Sequence, residues 1–167
     1  MPKKETESKK SMLEDQVISI GRVTKVTKGG RHFRFLATVV VGNRKGLVGI
    51  GTGKANEVSE AIKKAIQSAN KNVVKIALID NRTIPHDATG KVGRSVVLVK
   101  PAKEGRGIIA GGAARAVLEL AGVKDIVAKS LGANTQINVA KATLDALKSQ
   151  RTPEHIAELR GKKVEEL

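Results

Sequence analysis

The hydrophobic period of this chain changes near residue 57, and this change constrains the fold more than any other feature of the sequence. Residues 31–42, RHFRFLATVVVG, alternate between two faces, which is typical of a β-strand. The flanking residues 16–26 and 47–51 predict two further strands. Between residues 58 and 69 the apolar side chains recur at helical spacing, which predicts an amphipathic helix of about four turns. The first half of the chain is therefore predicted to be β-β-β-α.

Two glycine-containing segments separate the predicted strands. Gly29 and Gly30 lie between Lys28 and Arg31. A Gly-Gly pair between two strand patterns predicts a type I′ hairpin turn, in which both central residues take a positive φ. A second turn is predicted at residues 42–46, GNRKG.

The second half of the chain predicts a two-layer α/β unit with the order β-β-β-α-β-α. Strands are expected at residues 72–80, 94–100 and 123–130, and a short edge strand is expected at 83–86, because Pro85 cannot donate to a β-ladder. Helices are expected over 113–121, ended by Gly122, from Asn134 or Thr135 to about residue 147, and after Thr152-Pro153. The predicted fold class of the whole chain is α+β. We expect a flexible basic tail at 1–12, a first domain at 13–72, a second domain at 73–150 and a helical C-terminal extension at 151–167.

Positive charge dominates the chain and is unevenly distributed. Lys and Arg number 31 against 16 Asp and Glu, which gives a net charge of +15. No acidic residue lies between Asp15 and Glu57, and a second window without acidic residues runs from Asp87 to Glu104. Solvated surfaces usually mix both signs, so the partner is expected to be a polyanion, nucleic acid first and an anionic membrane second. The first window holds eight cations: Arg22, Lys25, Lys28, Arg31, Arg34, Arg44, Lys45 and Lys54.

The composition argues against several other classes of protein. Cysteine is absent, and the three histidines, His32, His86 and His155, are far apart in sequence, so neither a thiolate nucleophile nor a metal site is expected. No apolar run approaches the roughly 18–20 residues of a membrane-spanning helix, and the first ten residues lack the apolar region of a secretory signal. These absences favour a protein that is not an enzyme and that has no cofactor, no small-molecule substrate and no membrane partner, with an anionic membrane surface and a nucleotide-dependent enzyme kept as alternatives.

Two glycine-rich runs partly match nucleotide-binding motifs. Residues 49–55, GIGTGKA, differ from a P-loop because Val48 replaces its first glycine and Ala55 its magnesium-binding hydroxyl. Two interpretations stay open there: a weaker anion site made by the turn, Lys54 and the next helix N-terminus, or close packing of helix on strand. Residues 105–110, GRGIIA, match GxGxxA, but no strand runs directly into them, so close packing or a partner contact is favoured.

The aromatic content is low, with two phenylalanines and no tyrosine or tryptophan. Phe33 and Phe35 share a predicted strand face with Ala37, Val39 and Val41, and this pattern predicts that both rings lie in the core. Without a stacking platform for single-stranded bases, structured RNA or DNA is the favoured partner.

Three segments carry a family resemblance: residues 28–62, KGGRHFRFLATVVVGNRKGLVGIGTGKANEVSEAI, residues 104–132, EGRGIIAGGAARAVLELAGVKDIVAKSLG, and residues 134–143, NTQINVAKAT. They resemble ribosomal protein five of the bacterial small subunit, from about Leu13 to the C-terminus. The resemblance implies a first domain similar to a double-stranded-RNA-binding domain without its first helix, followed by a two-layer α/β domain. It also implies a cytoplasmic, structural component of the ribosome that binds small-subunit ribosomal RNA and supports subunit assembly and translational accuracy.

The resemblance further implies contacts with small-subunit ribosomal proteins four and eight and a position near the path by which messenger RNA enters. The loop matching residues 25–31 is expected near the spectinomycin site. RNA-binding residues are expected to be Arg22, Lys25, Lys28, Gly29, Gly30, Arg31, Arg34, Arg44, Lys45 and Lys54. Protein-contact residues, at the segment implied to lie near protein four, are expected to be Arg106, Gly107, Gly111, Gly112 and Arg115.

Two other functions stay open on the residues alone. A free-standing double-stranded-RNA-binding regulator would share the basic first half, although it would have no use for the GRGIIAGGAARA segment. A nucleotide-dependent enzyme would depend on the two incomplete glycine motifs.

Overall fold

The computed structural model describes residues 13–162 and 164. Residues 1–12, for which the sequence predicts a flexible basic tail, lie outside the described residues. A first, antiparallel sheet has the strand order β1-β2-β3-β4. Its elements are β1 (Glu14–Thr27), β2 (Gly30–Gly42), β3 (Leu47–Ala55), α1 (Val58–Lys71) and β4 (Val74–Lys75).

A second sheet has the order β5-β6-β8-β7, in which only the β7–β8 pair is parallel among the described strands. Its elements are β5 (Ala88–Val92), β6 (Ser95–Pro101), β7 (Ile108–Ile109), α2 (Gly112–Ala121), β8 (Ile126–Ser130) and α3 (Gln136–Lys148), and α4 (Pro153–Arg160) follows. The α+β fold class and the β-β-β-α-β-α order of this half are confirmed. Within the described part of the chain, every helix is too short or too polar to cross a membrane.

Helix α1 packs directly on one face of the first sheet. Its buried side chains are small, because Ala61, Ala65 and Ala69 face the strands and each is 0% exposed. They form one apolar cluster with the strand face of Ala37, Val39 and Val41. The helical spacing and the strand face predicted for these residues are both confirmed.

The other face of the first sheet packs against the second half of the chain. Val40, Val48 and Ile50 belong to the same buried cluster as residues of α2 and α3. The predicted turn at residues 42–46 docks on the end of α2, where the Arg44 N–H donates to the Leu120 carbonyl at 3.0 Å and the Gly46 N–H to the Ala121 carbonyl at 2.9 Å. The first sheet is therefore a middle layer between α1 and α2.

Several helix boundaries follow the local signals. Helix α2 ends at Gly122, which has a φ of 88° and accepts the left-handed C-cap conformation. Thr152 caps α4 and accepts a hydrogen bond from the His155 N–H, with Pro153 in the first turn, as the sequence predicts. Thr135 is the N-cap of α3, although its side chain makes no capping hydrogen bond.

The predicted strand positions of the second half are partly wrong. In the predicted strand at 72–80, only Val74–Lys75 is a strand, and it pairs with β3 as the fourth strand of the first sheet. The predicted edge strand at 83–86 contributes a single bridge between Ile79 and Thr83. The sequence pattern does not predict β5 and β7, which supply the missing members of the second sheet.

The predicted type I′ turn is also wrong. Thr27 pairs with Gly30, so the two loop residues are Lys28 and Gly29 rather than the two glycines. Neither loop residue has a positive φ, whereas Gly30 has a φ of 143°. The Thr27 hydroxyl donates to the Gly30 carbonyl at 3.1 Å and closes the turn. The glycine pair thus marks the hairpin correctly but is displaced by one residue from the loop.

Candidate nucleic-acid interface

A two-stranded hairpin of β1 and β2 carries most of the predicted cations. Its register pairs Arg22 with Phe35, Val23 with Arg34, Thr24 with Phe33, Lys25 with His32 and Val26 with Arg31. Directly opposed residues of an antiparallel pair share a face, so the register divides the cations between two faces. Arg22 and Arg31 share the face of Phe33, and Lys25 and Arg34 lie on the other face.

The second face forms a basic groove. Leu36 of β2 pairs with Lys54 of β3, which brings Lys54 to the same face as Arg34. The groove, of about 540 Å³, is lined in part by Lys25, His32, Arg34 and Lys54, all of which are exposed. We call these four residues the cationic groove. Three cationic side chains on adjacent strands, with no acidic residue in the sequence between Asp15 and Glu57, produce a local positive potential suited to phosphates.

The opposite face of the hairpin carries the Arg22–Phe33 stack. The guanidinium carbon of Arg22 lies 3.7 Å from the centroid of the Phe33 ring. Phe33 is 46% exposed, so its predicted core position is wrong, whereas Phe35 is partly buried against the α1 cluster. Strand alternation identifies the face correctly, but α1 covers only the part of this face nearer the end of β2.

The tip and the base of the hairpin region hold the remaining predicted RNA-binding residues. Lys28 and Gly29 form the exposed tip, next to Gly30 and Arg31. Arg44 and Lys45 lie in the turn after Gly42, beyond the opposite end of the 13-residue strand β2. A strand of that length spans about 40 Å. The structure therefore does not bring Arg44 and Lys45 together with the other six cations.

Arg44 is also paired within the chain. Its Nε lies 2.9 Å from Glu14 Oε2, and both side chains are more than half exposed. The Asn43 carboxamide oxygen accepts hydrogen bonds from the N–H groups of Lys45 and Leu47 and shapes this turn. The turn thus has a structural part in docking the first sheet onto α2.

The run GIGTGKA is a strand, so the predicted anion site at a helix N-terminus is wrong. Gly49, Gly51 and Gly53 lie in β3 and face α1, and a Cβ on Gly51 would come within 2.2 Å of the Ala69 nitrogen. Helix α1 begins only after Glu57, an acidic residue at the N-cap position. Close packing of helix on strand is the correct interpretation of these glycines, and Lys54 belongs to the cationic groove instead.

The predicted protein-contact residues surround the N-terminus of α2. Gly111 is the N-cap, Gly112 begins the helix, and Arg115 is exposed one turn later, where its Nη2 donates to the Ile108 carbonyl at 3.1 Å. A Cβ on Gly111 or Gly112 would meet no atom within 4 Å. Internal packing therefore does not require these two glycines. They line a groove of about 400 Å³ whose other walls include Lys129 and Gln136.

A buried carboxylate holds the loop that leads into this segment, and sequence analysis missed it. Asp125 is 4% exposed, and its Oδ1 accepts the N–H of Gly107 at 2.8 Å. Arg82 lies beside it, with Nε 3.8 Å from Asp125 Oδ2 and Nη1 2.9 Å from Glu104 Oε2. Arg106, next to Gly107, is exposed. The sequence signal for this anchor is weak, because the partners of Asp125 lie far away along the chain.

These features define a class. A strongly basic α+β chain whose first sheet extends a cationic hairpin has the charge and shape of a nucleic-acid-binding protein.

Comparison with known families identifies the family to which the chain belongs. The family model described as ribosomal protein S5, N-terminal domain, matches residues 13–77, and the one described as ribosomal protein S5, C-terminal domain, matches residues 90–160. The chain belongs to the ribosomal protein S5 family. It is a ribosome-associated protein of the small subunit that binds ribosomal RNA and other subunit proteins, in a family that is structural and non-enzymatic.

Proposed function

We propose that this chain binds small-subunit ribosomal RNA through its cationic hairpin and thereby supports subunit assembly and translational accuracy in the cytoplasm. The observation that carries the proposal is the cationic groove, in which Lys25, Arg34 and Lys54 of three adjacent strands share one face. Contacts from Lys and Arg to phosphates fix the position of a protein on RNA without reading its sequence. The groove therefore positions the chain on a folded RNA.

The hairpin tip is proposed as the second RNA contact. Lys28 lies beyond the last strand pair and Arg31 directly beside it, and Gly29 and Gly30 leave the backbone there free of side chains. In line with the family resemblance, we propose that this tip lies near the spectinomycin site and that the protein lies near the path by which messenger RNA enters. We propose that Arg22, which lies on the same hairpin, also contacts RNA, whereas Arg44 and Lys45 lie on a separate surface.

The α2 N-terminus is proposed as the contact with small-subunit protein four. The supporting features are the open positions beside Gly111 and Gly112 and the exposure of Arg106, Arg115 and Ile109, the last at 47%. An arginine guanidinium pairs well with a partner carboxylate, and exposed glycines allow a partner backbone to approach closely. The contact with protein eight rests on the family resemblance alone.

The RNA proposal is tested by replacing Lys28 and Arg31 together with alanine. We expect weaker binding to protein-free small-subunit ribosomal RNA in a filter-binding assay, because the double variant cannot make two of the phosphate contacts. A matched control replaces Lys141 and Lys148, two exposed lysines of α3, and removes the same charge elsewhere. Equal affinities in the two double variants would contradict a contact at the tip.

The protein contact is tested through decoding. If decoding involves a rearrangement that breaks this contact, Arg115→Leu favours the rearranged state. A coupling of about 1–2 kcal/mol changes the ratio of states by about five- to thirtyfold. A reporter of near-cognate readthrough should therefore show more errors, with RNA affinity unchanged. Arg115→Lys keeps the charge but cannot form two parallel hydrogen bonds with a carboxylate, so its error rate should lie between those of the parent and of Arg115→Leu. Parental error rates in Arg115→Leu would contradict the proposal.

A further inference from the structure

The Arg22–Phe33 stack lies on a solvent-exposed part of the hairpin face. Phe33 is 46% exposed, and two apolar side chains on the same hairpin face are also open to solvent, Ile20 at 48% and Val26 at 72%. One side of the Phe33 ring carries the guanidinium of Arg22 at 3.7 Å. Three large apolar side chains exposed together on one face favour a contact with a partner.

We propose that the Arg22–Phe33 stack docks one unpaired nucleobase of ribosomal RNA, a contact distinct from the phosphate contacts of the cationic groove. The proposal rests on the proposed function, since it assigns a second type of RNA contact to the same hairpin. Proteins stack splayed RNA bases on aromatic rings and on the planes of arginine guanidinium groups. Here a ring and a guanidinium already lie one on the other, so a base can extend the stack.

Charge and size favour a base over a protein segment. Arg31 is exposed on the same face, and the strands β1, β2 and β3 contain no acidic residue after Asp15. The nucleotide that carries a base also carries a phosphate, which such a surface attracts. A stable protein interface buries about 800 Å² on each partner, whereas one ring with a few aliphatic neighbours matches a single base.

Two substitutions that leave the net charge unchanged test the proposal in the full-length chain. Phe33→Leu removes the ring but keeps an apolar side chain, and Arg22→Lys keeps the charge but removes the planar group. Each is expected to weaken binding to protein-free small-subunit ribosomal RNA by about 5- to 150-fold, the range expected when one base stack is removed. The salt dependence of binding should not change, because no phosphate contact is removed. Leu131→Ala removes an apolar side chain that is 62% exposed elsewhere and serves as the control.

A fluorescent variant reports the stack directly. The chain has no tryptophan or tyrosine, so Phe33→Trp introduces a single emitter. An oligoadenylate of about 16 nucleotides, the upper end of common single-strand site sizes, should quench its emission. Inorganic polyphosphate, which has the charge but no bases, should not. Equal quenching by both polymers, or parental RNA affinity in both Phe33→Leu and Arg22→Lys, would overturn the proposal and leave the face for a protein partner.

A separate variant tests the proposed function. It is contradicted if replacing Lys25, Arg34 and Lys54 together with alanine leaves the affinity for ribosomal RNA unchanged. Weaker binding in that triple variant, with parental affinity in both Phe33→Leu and Arg22→Lys, would overturn the base stack alone.

Discussion

Three glycines in alternate positions of β3 allow α1 to lie on the strand backbone. A Cβ on Gly53 would come within 2.3 Å of the Ala61 carbonyl oxygen, and one on Gly51 within 2.3 Å of the Ala65 carbonyl oxygen. The facing helix positions are alanines, so both surfaces are nearly free of side chains. Close-packed interiors tolerate little added volume, and here the neighbours are backbone atoms that cannot rotate away.

Gly51→Ala is therefore expected to destabilise the chain by about 1–3 kcal/mol, the usual effect of overpacking a core. Urea unfolding followed by circular dichroism measures the change. Gly21→Ala is the matched control, because Gly21 lies in β1 and a Cβ there would meet no atom within 4 Å. An unchanged midpoint for Gly51→Ala would show that α1 moves away from the sheet at little cost.

Single residues also show where prediction from sequence reaches its limit. Alternation in β2 identifies the face that Phe33 shares with Ala37, and that face is correct. Burial of Phe33 depends on how far α1 extends along the strand, which is a tertiary property. The exposed stack with Arg22 therefore cannot be predicted from the pattern of β2 alone.

At the scale of elements, the loop between β6 and α2 depends on a buried anchor. The Asp125 carboxylate accepts the Gly107 N–H, and the Thr83 hydroxyl donates to the Asp125 carbonyl at 2.7 Å. The Ile126 N–H donates to the Gly107 carbonyl at 3.2 Å. These bonds fix the short parallel pairing of β7 with β8 and with it the start of the proposed protein-contact segment.

Asp125→Ala should destabilise the chain by about 1–3 kcal/mol, because the Gly107 N–H loses its partner in a partly buried site. Amide hydrogen exchange should accelerate more over residues 104–110 than in β2, where it follows only the lower free energy of global unfolding. The control is Glu104→Ala. The Glu104 side chain is 84% exposed, and its carboxylate pairs with Arg82. A surface pair of this kind contributes about 0–1 kcal/mol. Parental exchange over 104–110 in Asp125→Ala would contradict the anchor.

Elements with a strong period or a clear cap could be predicted, and short strands could not. Helix α1 has apolar periodicity, α2 ends at a glycine and α4 begins with Thr-Pro. Each of these signals acts locally. The strands β4 and β7 have two residues each, and their pairing depends on β3 and β8, which are remote in sequence. The domain boundaries at residues 72 and 150 stay a prediction, although Val74–Lys75 pairs within the first sheet.

At the scale of the whole molecule, the two halves share one buried cluster. Helix α2 carries the proposed protein contact at its N-terminus and docks at its C-terminus on the turn that follows β2. A Cβ on Gly122 would come within 2.1 Å of the Arg44 carbonyl oxygen, so the two backbones are in direct contact there. The proposed RNA and protein contacts are therefore joined through packed elements.

The salt dependence of RNA binding tests the central claim most directly. Removing one phosphate contact reduces the magnitude of the slope of log affinity against log salt by about 0.7–0.9. Replacing Lys25, Arg34 and Lys54 with alanine should therefore reduce the slope for small-subunit ribosomal RNA by about 2–3. The control replaces Lys63, Lys71 and Lys75, three exposed lysines outside the groove, and should leave a slope close to that of the parent. A slope that falls equally in both triple variants, or in neither, would contradict RNA binding through the cationic groove.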